Sequence, residues 1–109
     1  MKAPRPPRFD IAALRTLAGG KVFARGEEYH RGGQVEILSI ERDRVLAQVM
    51  GSEDYRTVLD GRGKKIGGEC SCPANRDWGF CKHMVATALT VNAAGDEERT
   101  EGPTALDRI

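Results

Sequence analysis

No apolar run in this chain approaches the roughly 20 residues that a membrane-spanning helix requires, so no membrane span is expected. The N-terminus is positively charged but has no apolar stretch behind it, and no secretory signal is expected there. Large apolar side chains are scarce: Leu, Ile, Val and Phe account for 22 of 109 residues. A core that thin predicts a folded domain in need of a staple. An excess of one charge sign is lacking too. The formal net charge is +1, so self-repulsion does not push the chain toward disorder. Cysteine occurs three times, an odd count that a disulfide-stapled secreted domain rarely shows. A reducing, cytoplasmic setting is the expectation.

What is present fits one domain of 11.9 kDa. Residues 1–95 carry 15 basic and 11 acidic side chains, and residues 96–109 carry 2 and 5. The chain divides into a loose Pro-rich arm over 1–8, a single domain over 9–95 and an acidic, disordered tail over 96–109. Ile11, Leu14 and Leu17 recur at helical spacing, with Asp10 as N-cap and Gly19-Gly20 as a stop. A second helix is expected over 21–31, with Gly26 weakening it and Gly32-Gly33 ending it. Short β-branched runs then follow at 35–41, 44–50, 55–60 and 64–70, separated by turn residues. In the second run Val45, Ala47 and Val49 share one face. A last helix begins at Lys82, with Val85, Ala88 and Leu89 on one stripe and Gly95 as its stop. The fold class is therefore α+β. It is a small antiparallel meander of three to four strands, with N-terminal helices and a C-terminal helix.

Chemistry concentrates between Gly68 and His83. All three cysteines, Cys70, Cys72 and Cys81, fall within 14 positions together with His83. Three thiolates and an imidazole are the ligand set of a tetrahedral structural zinc site. Cys70 and Cys72, two apart on an extended chain, present their sulfurs on one side. Cys81 and His83 flank the start of the last helix, where the dipole favours a thiolate. One pair comes from a strand end and the other from a helix start, so the metal pins the helix to the sheet. Competing readings fit less well. A nucleophilic Cys–His pair lacks an orienting third group and an oxyanion site. A zinc deaminase needs a His-x-Glu and a Cys-x-x-Cys, and both are missing. An iron–sulfur cluster takes four cysteines as a rule. Four protein ligands also close the shell that a catalytic zinc leaves open.

Cys70-x-Cys72-x8-Cys81-x-His83, continued as Met84-Val85-Ala86, resembles the SWIM zinc finger, a Cys-x-Cys…Cys-x-His motif. Upstream, Ala24 to Tyr29, Gly33 to Val35, and Val49 to Ser52 before Tyr55 resemble the segment that precedes the finger in bacterial members. The resemblance spans roughly residues 22–91. It implies one structural zinc per chain and an accessory role in DNA binding or protein contact beside a Swi/Snf-type helicase or other partner protein; it does not imply catalysis, and no enzyme activity is expected. No Walker-type loop is present, so any ATPase is a separate polypeptide or lies in another part of a longer one. Neither a membrane nor a small-molecule substrate is expected as partner. Lys64, Lys65, Arg76 and Lys82 are the expected nucleic-acid contacts, forming with Arg62 a basic rim around the finger. Their DNA binding is expected to be weak and without sequence preference. The alternative is a protein-docking module in which zinc only holds the fold. Trp78 is expected to cover the metal or the helix, and His30 to stay outside the shell.

Overall fold

Asp10 opens the first helix by accepting a hydrogen bond from the Ala13 N–H at 2.9 Å, satisfying a donor that has no partner within the helix. Helix α1 spans Ile11–Ala18 and ends at Gly19, whose φ of 86° turns the chain. Gly20 already belongs to α2, Gly20–Arg31, so the expected two-glycine stop is a single-residue hinge. Four strands follow: β1 (Val35–Glu41), β2 (Arg44–Met50), β3 (Asp54–Arg62) and β4 (Lys65–Cys70). They form one antiparallel sheet in sequence order, joined throughout by tight connections. Helix α3, Lys82–Asp107, completes the α+β fold. The computed structural model describes residues 7–51, 53–73 and 79–107, with side chains described as far as Gly95.

The sheet is two-faced, as alternation dictates. Val45, Ala47 and Val49 of β2 and Thr57 and Leu59 of β3 point inward and are fully buried. Arg44, Met50, Arg56 and Asp60 lie on the exposed positions between them. Leu38 marks a register shift in β1 and is 41% exposed. On the inner face sits the first half of α3, whose residues from His83 to Ala88 are buried all round. A helix buried on every side is one enclosed by neighbours. Here α3 packs at once on α2 and on the sheet.

Gly26 shows why a glycine stands inside α2. A Cβ at that position would lie 2.4 Å from Val85 Cγ1 and 3.0 Å from the Lys82 carbonyl oxygen. The two helices approach so closely that only hydrogen fits. Gly68 has a comparable role in β4. Its φ is 138°, and a Cβ there would meet the Val58 carbonyl oxygen at 2.0 Å.

Residues 8–10 are stitched to two distant elements. The Asn92 side chain accepts from the Phe9 N–H and donates to the Phe9 carbonyl, both at 2.9 Å and both buried. Gly63, at the β3–β4 turn, donates to the Arg8 carbonyl, and its own carbonyl accepts from the Asp10 N–H. Phe9 is thereby drawn into the core with Leu14, Phe23, Val85 and Val91.

Two expectations need correction. Helix α3 does not stop at Gly95 but runs to Asp107. A glycine within a helix costs only about 1 kcal/mol, and the Glu and Arg residues beyond it favour helix. Residues 1–6 of the expected arm and 108–109 of the expected tail lie outside the described residues. Strand β4 also ends at Cys70, so Cys72 lies in a bend and not on an extended chain.

Candidate metal centre

The end of β4 delivers Cys70 to the sheet's inner face, opposite Thr57 in the β3–β4 register. One residue on, the chain turns. Ser71 holds the bend, its N–H donating to the Arg56 carbonyl and its hydroxyl accepting from the Arg56 N–H, both at 3.0 Å. Cys72 then points inward and is 3% exposed. From the other side, Cys81 precedes α3 and its carbonyl accepts from the Met84 and Val85 N–H groups, which begins the helix. His83 lies in the first turn, buried.

One ligand atom from each of Cys70, Cys72, Cys81 and His83 lies within 4.8 Å of the other three. His83 Nδ1 is 3.7 Å from Cys70 Sγ and 3.8 Å from Cys81 Sγ. Zn–S bonds of about 2.3 Å and a Zn–N bond of about 2.0–2.1 Å at the tetrahedral angle place S and N roughly 3.6 Å apart. The two S–N distances therefore match those of a tetrahedral shell. All three cysteines are free thiols rather than disulfide partners. Packing three sulfurs and an imidazole nitrogen together in a core makes physical sense around a cation that their charges share.

Electrostatics without an ion already favour one thiolate. Hydrogen bonds from the Cys81 thiol, from His83 and from Thr57 outweigh burial and hold the Cys70 thiol far below its ordinary value, at about 3. Cys81 moves the other way. Its thiol is pushed up because it donates to Cys70, is buried, and lies beside the Cys70 negative charge. Metal binding must therefore expel the Cys81 proton.

Three residues around the cluster were not singled out for this place by the sequence. Thr57 is fully buried and its hydroxyl donates to Cys70 Sγ at 3.3 Å. Reading the strand pairing as well as the strands would have found it, since Thr57 faces Cys70 across the ladder. Tyr55 stacks on the His83 ring at 4.6 Å with an interplanar angle of 29°, and Tyr29 meets it edge-on at 5.3 Å and 87°. His83 Nε2 is buried and has no hydrogen-bond partner among the described residues. A ligating imidazole commonly has its orientation set by a hydrogen bond at the second nitrogen. Here two tyrosine rings set it.

The structure brings the four ligands together and separates the expected basic rim. Lys64 and Lys65 stand at the opposite end of β4 from Cys70, five residues of extended chain or about 17 Å away. Arg62 is also at that end, engaged with Asp43 and the Arg42 carbonyl. Among the described members of the rim, Lys82 adjoins the ligands in sequence, between Cys81 and His83. Arg76 and Trp78 lie outside the described residues. His30 is not in the cluster; its Nδ1 is 2.9 Å from the Thr90 hydroxyl, which joins α2 to α3.

Fold and site together define an α+β domain whose core closes on a buried Cys3His cluster able to hold one metal ion. No helix among the described residues is long and apolar enough to cross a membrane. The chain matches no family model, no curated protein and no solved structure.

Proposed function

We propose that this chain is a zinc-stapled, non-catalytic module of the SWIM type, which docks on a protein partner such as a DNA-acting ATPase. The observation that carries this reading is the origin of the four ligands. Two come from the end of the sheet and two from the start of α3, all buried, so one ion ties the two halves of the core together. Thiolates and imidazole select zinc over the hard cations, which prefer oxygen. When bound, the ion supplies cross-linking energy and leaves no open coordination position for a substrate. Protein docking is preferred to nucleic-acid binding because Lys64 and Lys65 lie far from Lys82 and the cluster.

Elemental analysis should find one zinc per chain. Apparent zinc-binding energies in zinc-finger peptides are on the order of 10–16 kcal/mol, as large as the whole stability of a small domain. Strong chelator should therefore release α3 from the sheet, seen as lost amide dispersion and reduced helical circular dichroism. Unchanged spectra after complete zinc removal would refute the staple. A DNA and RNA anisotropy titration at about 50 mM salt tests the docking half, because phosphate contacts are strongest at low salt. No binding is expected, and clear binding there would return the case to a nucleic-acid module.

A further inference from the structure

Beside the metal cluster, α2 from Lys21 to Glu28 and the residues leading into α3 form an open cavity of about 510 Å³. Its apolar wall includes Val22 and Phe80, both packed against the core. Around it stand Lys21, Arg25 and Lys82, with Glu28 as the one carboxylate among the described lining residues. On the same helix as Lys21 and Arg25, Arg31 faces the Glu27 carboxylate. Lys21 and Arg25 have no such partner among the described residues, and Lys82 rests only over the Tyr29 ring at 5.6 Å. An apolar hollow whose described lining carries three cations against one carboxylate is complementary to a ligand with an apolar centre and acidic flanks.

We propose that this cavity docks an acidic segment of a partner protein, which inserts one apolar side chain between α2 and α3 and sets its carboxylates against Lys21, Arg25 and Lys82. The volume suits one or two side chains. Glu28 repels any anion, but phosphates recur at every nucleotide, whereas a peptide can set its carboxylates away from Glu28 and offer it a backbone N–H. The site shares a wall with the metal centre, since Cys81 also lines the cavity. This proposal rests on the docking reading and deepens it by naming the partner's chemistry.

The test uses the zinc-loaded, isotope-labelled full chain and short amidated peptides of Asp and Glu around one central Leu. Control peptides replace the Leu by Ala, or the acids by Asn and Gln, and a single-stranded oligo(dT) of matched charge stands for nucleic acid. The acidic Leu peptide should shift the amides of residues 21–28 and of Lys82. Replacing its Leu by Ala should weaken binding by about 10- to 100-fold, the value of burying one aliphatic side chain. Arg25→Glu and Lys21→Glu should each weaken it by about tenfold, while Glu28→Gln should leave it equal or tighter. Zinc content of the two charge-reversal variants is measured in parallel. One zinc per chain with peptide binding lost supports the docking site, and zinc loss in the unmodified chain would instead refute the zinc-module reading. The proposal is overturned by no shift with the Leu peptide, by equal binding of the Ala control, or by tighter binding of oligo(dT) at the same residues.

Discussion

Replacing Gly26 by Ala opposes two effects of known size. Alanine favours helix over glycine by about 1 kcal/mol, so on propensity alone Gly26→Ala stabilises α2. The added Cβ would lie 2.4 Å from Val85 Cγ1 and 2.5 Å from Val85 Cβ. Carbon atoms settle at about 3.5–4.0 Å, so the helices must separate by more than about 1 Å or α2 must rotate. Val85 cannot swing away, because the clash reaches its Cβ and the Lys82 carbonyl stands at 3.0 Å. Overpacking of this kind costs about 1–3 kcal/mol, occasionally more, and here stands at the upper end. The net expectation is a loss of about 1–2 kcal/mol. For a domain of this size that is a melting temperature lower by roughly 4–16 °C. Lys82 and Val85 flank His83, so the displacement also moves a metal ligand, and zinc affinity should fall with stability. The measurement is thermal and urea unfolding at fixed excess zinc, since bound metal adds to apparent stability by mass action. A melting temperature equal to or above that of the unmodified chain would show that the α2–α3 contact is looser than described.

Cys72→Ser and Cys81→Ser should each lose stoichiometric zinc, whereas His30→Ala should keep it and lose only its bond to Thr90, about 1 kcal/mol in urea unfolding. Equal zinc loss in His30→Ala would mean a different ligand set. Thr57→Val removes the hydroxyl that donates to Cys70 Sγ, and zinc affinity by competition with a chelator should drop about 10- to 100-fold, as for other groups that orient ligands. Unchanged affinity would make Thr57 a packing residue only. Zinc affinity should rise with pH. The free protein holds the Cys70 thiol low, at about 3, and the Cys81 thiol high, so near neutrality Cys81 must give up a proton on binding. Each proton released makes affinity climb about tenfold per pH unit, and calorimetry in buffers of different ionisation enthalpy counts it directly.

Most of the architecture is legible in local pattern. The bounds of β1 and β2 follow from alternation between turn residues, and Asp10 and Gly19 announce α1 by the roles they perform. The ligand set is legible because four metal-binding side chains within 14 positions leave few other uses. What stays hidden depends on contacts between elements distant in sequence. Gly26 weakens α2 when that helix is considered alone, and only the approach of α3 explains it. Thr57 becomes part of the metal's surroundings through strand register. Lys64 and Lys65 are close to Cys70 in sequence, yet an extended strand carries them to the opposite end of the sheet. Gly95 reads as a terminator because glycine often ends helices, but nothing local forces it to leave the helical region.

The double hydrogen bond between Phe9 and Asn92 joins positions 83 apart. A ribosome adding about 5–20 residues per second takes roughly 4–17 s to cover that interval. Until Asn92 is made the Phe9 backbone groups lack their partner, and until the start of α3 is made the sheet's apolar face stays uncovered. Cys70 and Cys72 emerge before Cys81 and His83, and two ligands alone do not close a tetrahedral shell. The metal can therefore lock only a chain synthesised at least through α3's first turns. A nascent chain that stalls short of Cys81 is left with a bare sheet face and unmatched thiols, and exposed apolar surface of that kind makes an incompletely folded chain prone to aggregate.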